Sequence, residues 1–446
     1  MQTKGSLKEF FKYISVSIAG MLGLSFYILA DTYFIARGLG ANGLTALNLA
    51  LPVFTLVSGL GLMLGMGGSV KYTVLKSRGD EKGANKIFSL TLITAIAVSV
   101  VFLLCGALFS SQIAILLGSD KSVLKMTKTY LGMILLFAPA FMLNNTFMCF
   151  VRNDKNPNLS MCAMLTGSIS NIILDYVFIF PLKMGIFGAV FATCLAPVIS
   201  IFVLSLHKIC KKNTFRFCMP SIKLNALAGI LSAGFPSFIC EISSGIVMLV
   251  FNTIMLKLKG NTGVAAYGVI SNLSVVVISV FTGIAQGMQP LTSRAYGKSN
   301  TRQSQFYLYM TLILSMAVSA VMYSFIFFNA DFITHAFNSE NNAVLKSIAP
   351  RGLKIYFTAI PFAGANIIMS IYFASVEKSI PSHVVSVMRG IAIIVPSAFL
   401  LSYLLDVTGV WLAFPVSELL TAAVCTVIFI IDINKQKIYN KQNGVN

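Results

Sequence analysis

Residues 13–36 read YISVSIAGMLGLSFYILADTYFIA, twenty-four positions with a single charge, Asp31. A helix needs about 20 apolar residues to cross the hydrocarbon core of a bilayer. This stretch meets that length and carries its one acid inside it. Lys4, Lys8 and Lys12 precede it as in a signal peptide, but the run is too long for a signal core and reads as a retained first span.

Working outward, eleven further runs of spanning length fall near 47–70, 87–108, 127–149, 159–181, 186–206, 225–256, 264–288, 307–329, 350–375, 381–404 and 409–432. Breaks between runs carry turn or charged residues, among them Gly38-Leu39-Gly40, Arg78-Gly79-Asp80, Asn156-Pro157, Gly260-Asn261 and Gly297-Lys298. Of the 446 residues 57% are hydrophobic and 11% charged. Soluble domains carry about 25% charged residues, which excludes that class. The eight cysteines show no metal or disulfide spacing and read as small core residues.

The 33 Lys and Arg against 14 Asp and Glu give a net charge of +19. In a membrane chain such an excess reports topology and anionic lipid rather than nucleic acid. With the N-terminus in the cytoplasm, 23 of the 33 basic residues fall in inside segments and 10 outside. Both termini are therefore expected inside, with an even number of spans. The polar, basic stretch 207–223, with Pro220, is expected as a cytoplasmic linker. It divides an N-lobe of spans 1–6 (1–206) from a C-lobe of spans 7–12 (224–434), followed by a cytoplasmic tail (435–446).

The halves repeat. At an offset of 220, Gly40, Gly43, Ala46 and Gly67 fall on Gly260, Gly263, Ala266 and Gly287. At 222, Pro139 and Asn144 fall on Pro361 and Asn366; at 224, Pro157, Gly185 and Thr193 fall on Pro381, Gly409 and Ser417. The expected fold class is an all-α membrane protein. Its twelve transmembrane helices form two parallel six-helix lobes, related by a pseudo-two-fold along the membrane normal. Such a pair encloses a central cavity and rocks between two openings.

Charge inside a span costs about 2.5–3.5 kcal/mol on insertion scales, so it marks function. Four acids fall inside spans: Asp31, Asp175, Glu241 and Glu418. No arginine is expected in the middle of a span, which leaves these acids without a guanidinium partner. Asn171 and Asp175 are four apart and share a helix face. With Asp31 and Thr193 they offer only oxygen ligands, which suit a hard cation. Two carboxylates side by side also share a proton. These four residues are the candidate cation-coupling site, for Na⁺ as a bound metal or for H⁺. The repeat mates of Asp31, Asn171 and Asp175, namely Phe251, Val395 and Phe399, are apolar, which assigns ion coupling to the first half. Glu241, and less directly Glu418 after Pro415, are candidates for substrate binding or a second protonation point. The 35 Phe, 15 Tyr and 20 Met suit a tolerant cavity for lipophilic cations. There is no Walker P-loop, H-x-x-x-H or C-x-x-C pattern, so no cofactor is expected beyond the coupling ion.

The chain resembles the MATE (multidrug and toxic compound extrusion) transporters, in particular their bacterial drug/Na⁺-antiporter-like members. The residues that carry the likeness are Asp31-Thr32-Tyr33-Phe34-Ile35, Phe150-Val151-Arg152-Asn153-Asp154 with Asn156-Pro157, Asn171 with Asp175 and then Gly185 through Thr193, and Gln286-Gly287-Met288-Gln289-Pro290 running to Tyr296-Gly297. Lys155 stands where a glycine is common, and Ala374-Ser375-Val376-Glu377 replaces a less charged turn. The resemblance implies a secondary active multidrug antiporter, not an enzyme. It would export organic cations in exchange for Na⁺ or H⁺, as a monomer in a bacterial inner membrane. It also places Asp31, Asn171, Asp175 and Thr193 in the first-lobe cation site and Glu241 at the seventh-span acid. The nearest rival is a flippase or exporter of lipid-linked or other amphipathic metabolites, whose cavity should be cationic. An intramembrane enzyme lacks a nucleophile–base pair.

Overall fold

A computed structural model describes residues 2–219, 223–337 and 343–442. Pro220 of the expected linker and residues 443–446 of the expected tail lie outside the described residues. Helices run as α1 (Gln2–Ser77), α2 (Glu81–Leu116), α3 (Leu124–Leu136), α4 (Ala138–Asn153), α5 (Pro157–Ile179), α6 (Gly185–Ile209) and α7 (Leu224–Gly297). They continue as α8 (Thr301–Phe328), α9 (Ala330–Phe337), α10 (Ala343–Tyr356), α11 (Ile360–Ser375), α12 (Ser379–Val387) and α13 (Ile394–Gln442). Among the described residues there is no strand.

A straight helix of 76 residues, the length of α1, would measure about 114 Å, several bilayer cores. Instead α1 holds two helices joined at Gly40 (φ 66°, ψ −160°), and α7 holds two joined at Gly260 (φ 60°, ψ −152°). Only glycine reaches this backbone region without a steric penalty. A third join lies in α13 at Asp406 (φ 54°, ψ −137°). Eight described segments are long and apolar enough to cross a membrane, and α3 with α4 makes a ninth, bent by 47°. With the three joins counted, the described residues hold the twelve spans expected. Outward-facing Val101, Leu108, Phe202, Val321 and Phe325 are more than half exposed, an apolar surface that suits lipid.

The repeat is written into the backbone as well as the sequence. Gly40 and Gly260 share one conformation 220 residues apart, and Gly79 (φ 88°) and Ser299 (φ 57°) pair at the same offset. Lys155 (φ 64°) and Glu377 (φ 58°) pair at 222. The correspondence slips near the last hairpin. Gly185 has φ 64°, but the left-handed residue of the second half is Asp406, not Gly409. A short polar side chain tolerates positive φ better than the β-branched Val407 and Thr408 beside it.

Proline shapes the remaining breaks. The run expected as one span over 127–149 divides at Phe137, because Pro139 lacks the N–H that would continue the ladder. A 3₁₀ turn at Phe357–Ala359 precedes Pro361 in the same way. The helix that begins at Ser379 loosens into a π turn at Met388–Ala392.

The chain packs as two units. The first holds Met1–Gly245, Thr282–Tyr307 and Ala374–Glu377; the second holds Ile246–Phe281, Leu308–Phe373 and Lys378–Asn446. Within the first, α1 packs against α2, α3, α4, α5 and α6. There too, a Cβ on Gly67 would fall 1.9 Å from the Ile230 carbonyl oxygen, and one on Gly234 would fall 1.8 Å from that of Met63. Gly287, the repeat mate of Gly67, lies against Tyr13 and Ile14, and Ile14 is the position 220 before Gly234. The two contacts are thus one contact with the roles exchanged, the pattern a two-fold relation produces.

Candidate functional site

Three helices of the first unit bring the expected oxygen groups together. Asp31 on α1 is 7% exposed, Asn171 and Asp175 on α5 are fully buried, and Thr193 on α6 is 5% exposed. The carboxyls of Asp31 and Asp175 are neighbours. Two ionised carboxylates side by side repel and only accept, so a proton or a cation between them would stabilise the pair. With its amide turned to satisfy both neighbours, Asn171 donates to Asp175 Oδ2 at 3.0 Å and accepts from the Thr193 N–H at 3.2 Å. Asp31 Oδ1 and Asp175 Oδ1 have no hydrogen-bond partner. Two buried orphan oxygens on adjacent acids fit a small hard cation.

Sequence reasoning missed two tyrosines beside these acids. Tyr130 on α3 bonds Thr193 and lies in the field of Asp31 and Asp175. Tyr27, one helical turn before Asp31, lies in the field of Asp31, Glu241 and Asp175. The four-residue spacing of Tyr27 and Asp31 was the available signal.

Thr193 also lines a cavity of about 150 Å³ in the same unit. One face of α4 forms a wall through Phe141, Asn144, Asn145, Met148, Cys149 and Arg152, at alternating spacings of three and one that follow the helical period. Met21, Leu24, Tyr27 and Ile28 of α1 face it, with Glu241 and Gln286 from α7. Space of this size accepts about one aromatic ring, so a larger guest requires the helices to part. Glu241 is among the residues that line the cavity.

Arginine corrects the sequence reading twice. Arg152, read as an inside-loop residue, is 5% exposed and lines the cavity. In the second unit Arg389, in the π turn, lies 2.9 Å from Glu418. Asn366 donates to Glu418 Oε2 at 2.7 Å and to its backbone carbonyl at 2.9 Å. Glu418 thus has the guanidinium partner that the sequence reading withheld from it. It is not among the residues lining the first unit's cavity.

A further polar hub closes the end of the first unit that carries the loop after α4. Asp154 accepts from Lys76 (2.9 Å), from the Thr214 N–H (2.7 Å) and from the Thr214 hydroxyl, and pairs with His207 at 2.9 Å. Burial pushes the Asp154 carboxyl up, but the bonds from His207, Thr214 and Lys76 win and hold it well below the usual carboxylate range. Residues 207–214, the start of the expected linker, are fastened here.

The sequence profile of the MatE family matches residues 17–177 and 236–400. The multidrug export protein MepA of Staphylococcus saprophyticus is 25% identical over 419 residues, 93% of this chain and 91% of that protein. MepA of Staphylococcus aureus is 26% identical over 405 residues, 90% and 88% of the two. Among solved structures, an outward-facing multidrug resistance MATE family transporter of the MOP superfamily superposes with a TM-score of 0.91 at 23% identity, over 97% of both chains. A MOP superfamily transporter from Pyrococcus furiosus, described by the reverse polarity of its binding pocket, gives 0.89 at 23% identity, again over 97% of both. These structures share the two-lobed, all-helical fold. With most of its length covered by the family profile, the chain belongs to the MatE family and is a multi-pass membrane transporter, not an enzyme.

Proposed function

We propose that this chain exports lipophilic organic cations in exchange for Na⁺ or H⁺ by alternating access. It would work as a monomer in a bacterial cytoplasmic membrane, with both termini in the cytoplasm. The MepA relatives, named for multidrug export, support the substrate class. The observation that carries the coupling step is the Asp31–Asp175 pair, which shares Thr193 with the cavity wall. An ion entering this pair replaces the shared proton and pulls on α1, α5 and α6 together. Glu241 supplies the counter-charge for the cationic guest. The bodies that rock are the halves 1–206 and 224–434, with 207–223 between them. The ion drives export only if it binds one state more tightly than the other.

Dye efflux from proteoliposomes under separately imposed Na⁺ and pH gradients tests the reading. The wild-type protein is expected to respond to one gradient or both. Asp31→Asn and Asp175→Asn are each expected to remove that response. Gradient-driven efflux that persists in both variants ends the proposal.

A further inference from the structure

Arg152 occupies the last turn of α4, where the helix dipole favours a cation. A guanidinium stays charged at any accessible pH and offers five N–H donors. Its Nη1 reaches Gln286 Oε1 at 2.5 Å, and its Nη2 reaches Met66 Sδ at 3.4 Å and Cys149 Sγ at 3.7 Å. Its Nε has no partner. All these acceptors are neutral, and the sulfurs are weak ones. The carboxylate nearest in sequence, Asp154, is spent on Lys76, His207 and Thr214. Among the described residues no acid forms an ion pair with Arg152. A buried charge in this state is costly unless something completes it.

The opening it faces is the cavity, and Gln286 lines that cavity beside it. Gln286 gives its carbonyl to Arg152, which leaves its NH₂ as a second donor at the same spot. Glu241 lines the same space, and among the described residues no base pairs with it. One acid and one base thus face a common cavity without neutralising each other. The same cavity has apolar walls, including Phe54 edge-on to Phe141 at 5.4 Å.

We propose that Arg152, with Gln286, is an anion-recognising subsite that selects zwitterionic amphiphiles. These are guests with an amine or delocalised cation at one end, an aromatic body, and a carboxylate that docks on the guanidinium. This rests on the cation-export reading and adds a second pole to it. Arg–carboxylate bonds are charge-assisted and often bidentate, so loss of the subsite removes about tenfold or more in affinity for such a guest.

A matched dye pair isolates the pole. Rhodamine 110 carries a free carboxylate, and rhodamine 123 is its methyl ester. Binding of each to the purified full-length protein, in phospholipid-free detergent micelles where no phosphate headgroup competes, is read by fluorescence polarisation. The wild type is expected to favour the acid over the ester. Arg152→Gln is expected to cut the acid-to-ester affinity ratio at least tenfold, and Arg152→Lys to restore part of it. If Arg152→Gln fails to fold, Gln286→Glu decides, because it places a carboxylate on the guanidinium and should lower the same ratio. A ratio unchanged in the folded variant overturns the subsite. Ester binding that still depends on Glu241 while the ratio is unchanged leaves cation export standing and removes only this proposal. A wild type that binds neither dye overturns both.

Discussion

The two units each bury an acidic centre, and they balance it in opposite ways. In the first, Asp31 neighbours Asp175 with no base present, and one oxygen of each is left over. In the second, Glu418 is met by Arg389 and Asn366. A carboxylate with a tethered guanidinium is already neutral and has no need of a mobile ion. Two adjacent carboxylates repel one another, and a proton or a metal ion between them would relieve that repulsion. On the proposed reading, this contrast would let a duplicated chain couple ion movement in one half and not the other. The sequence reading counted the second half as apolar at the matching positions; its buried acid, Glu418, lies elsewhere and is paired with Arg389.

The sharpest break in this comparison is functional. Asp175→Asn is expected to lower gradient-driven dye efflux at least tenfold, whereas Glu418→Gln should retain the response to the gradient at whatever level the protein folds. Efflux assays normalised to folded protein in the membrane check both, and loss of coupling in the second variant alone would invert the assignment.

Stability should move the other way. Glu418→Gln removes the charge opposite the largely buried Arg389 guanidinium, a loss of about 3–5 kcal/mol. A paired Glu418→Met, Arg389→Leu substitution should recover most of it. Asp31→Asn relieves a like-charge contact and is expected to leave thermal stability in detergent equal or higher. Unfolding temperatures of the four proteins order the cases.

The loop-side ends of the units extend the contrast at smaller scale. Asp154→Asn removes hydrogen bonds to an ionised carboxylate, at a cost of about 1.5–3 kcal/mol. The folded pKa of Asp154 lies below the ordinary value. Its contribution is therefore complete above the unfolded-state pKa of about 3.9 and is lost as pH falls through the folded value. Unfolding followed from pH 7 to pH 3 should show a wild-type decline at the acid end that the variant lacks. The second unit's Lys378–Asp432 pair (2.5 Å) is about a quarter exposed on each side. Lys378→Ala should cost about 0–1 kcal/mol, read as a small shift in the same scans.

Much of this was legible before any coordinates. Apolar runs located every span because hydropathy is a local property, and the repeat offsets anticipated the shared φ of Gly40 with Gly260. Asp31 and Asp175 were found together because an acid deep in a span has few reasons to be there. Arg152 was not found because it lies just past an apolar run, where a basic residue ordinarily reaches water, and the partner of Arg389, inside the run 381–404, was not found because it is distant in sequence. The burial of both arginines comes from neighbours distant in sequence, such as Gln286 for one and Glu418 for the other. The same holds for Asp154, whose loop position hid a partner sixty residues on, Thr214. The join at Asp406 eluded the repeat because backbone tolerance, not ancestry, decides which residue turns.

Where Gly67 meets Gly234, backbone lies against backbone with no side chain between. Surfaces this smooth have no interlocking teeth, so the helices glide there without any rotamer having to flip. This contact is a bearing; its mirrored counterpart at Gly287 also has the Ile14 side chain beside it. A single methyl group added at either would act as a brake.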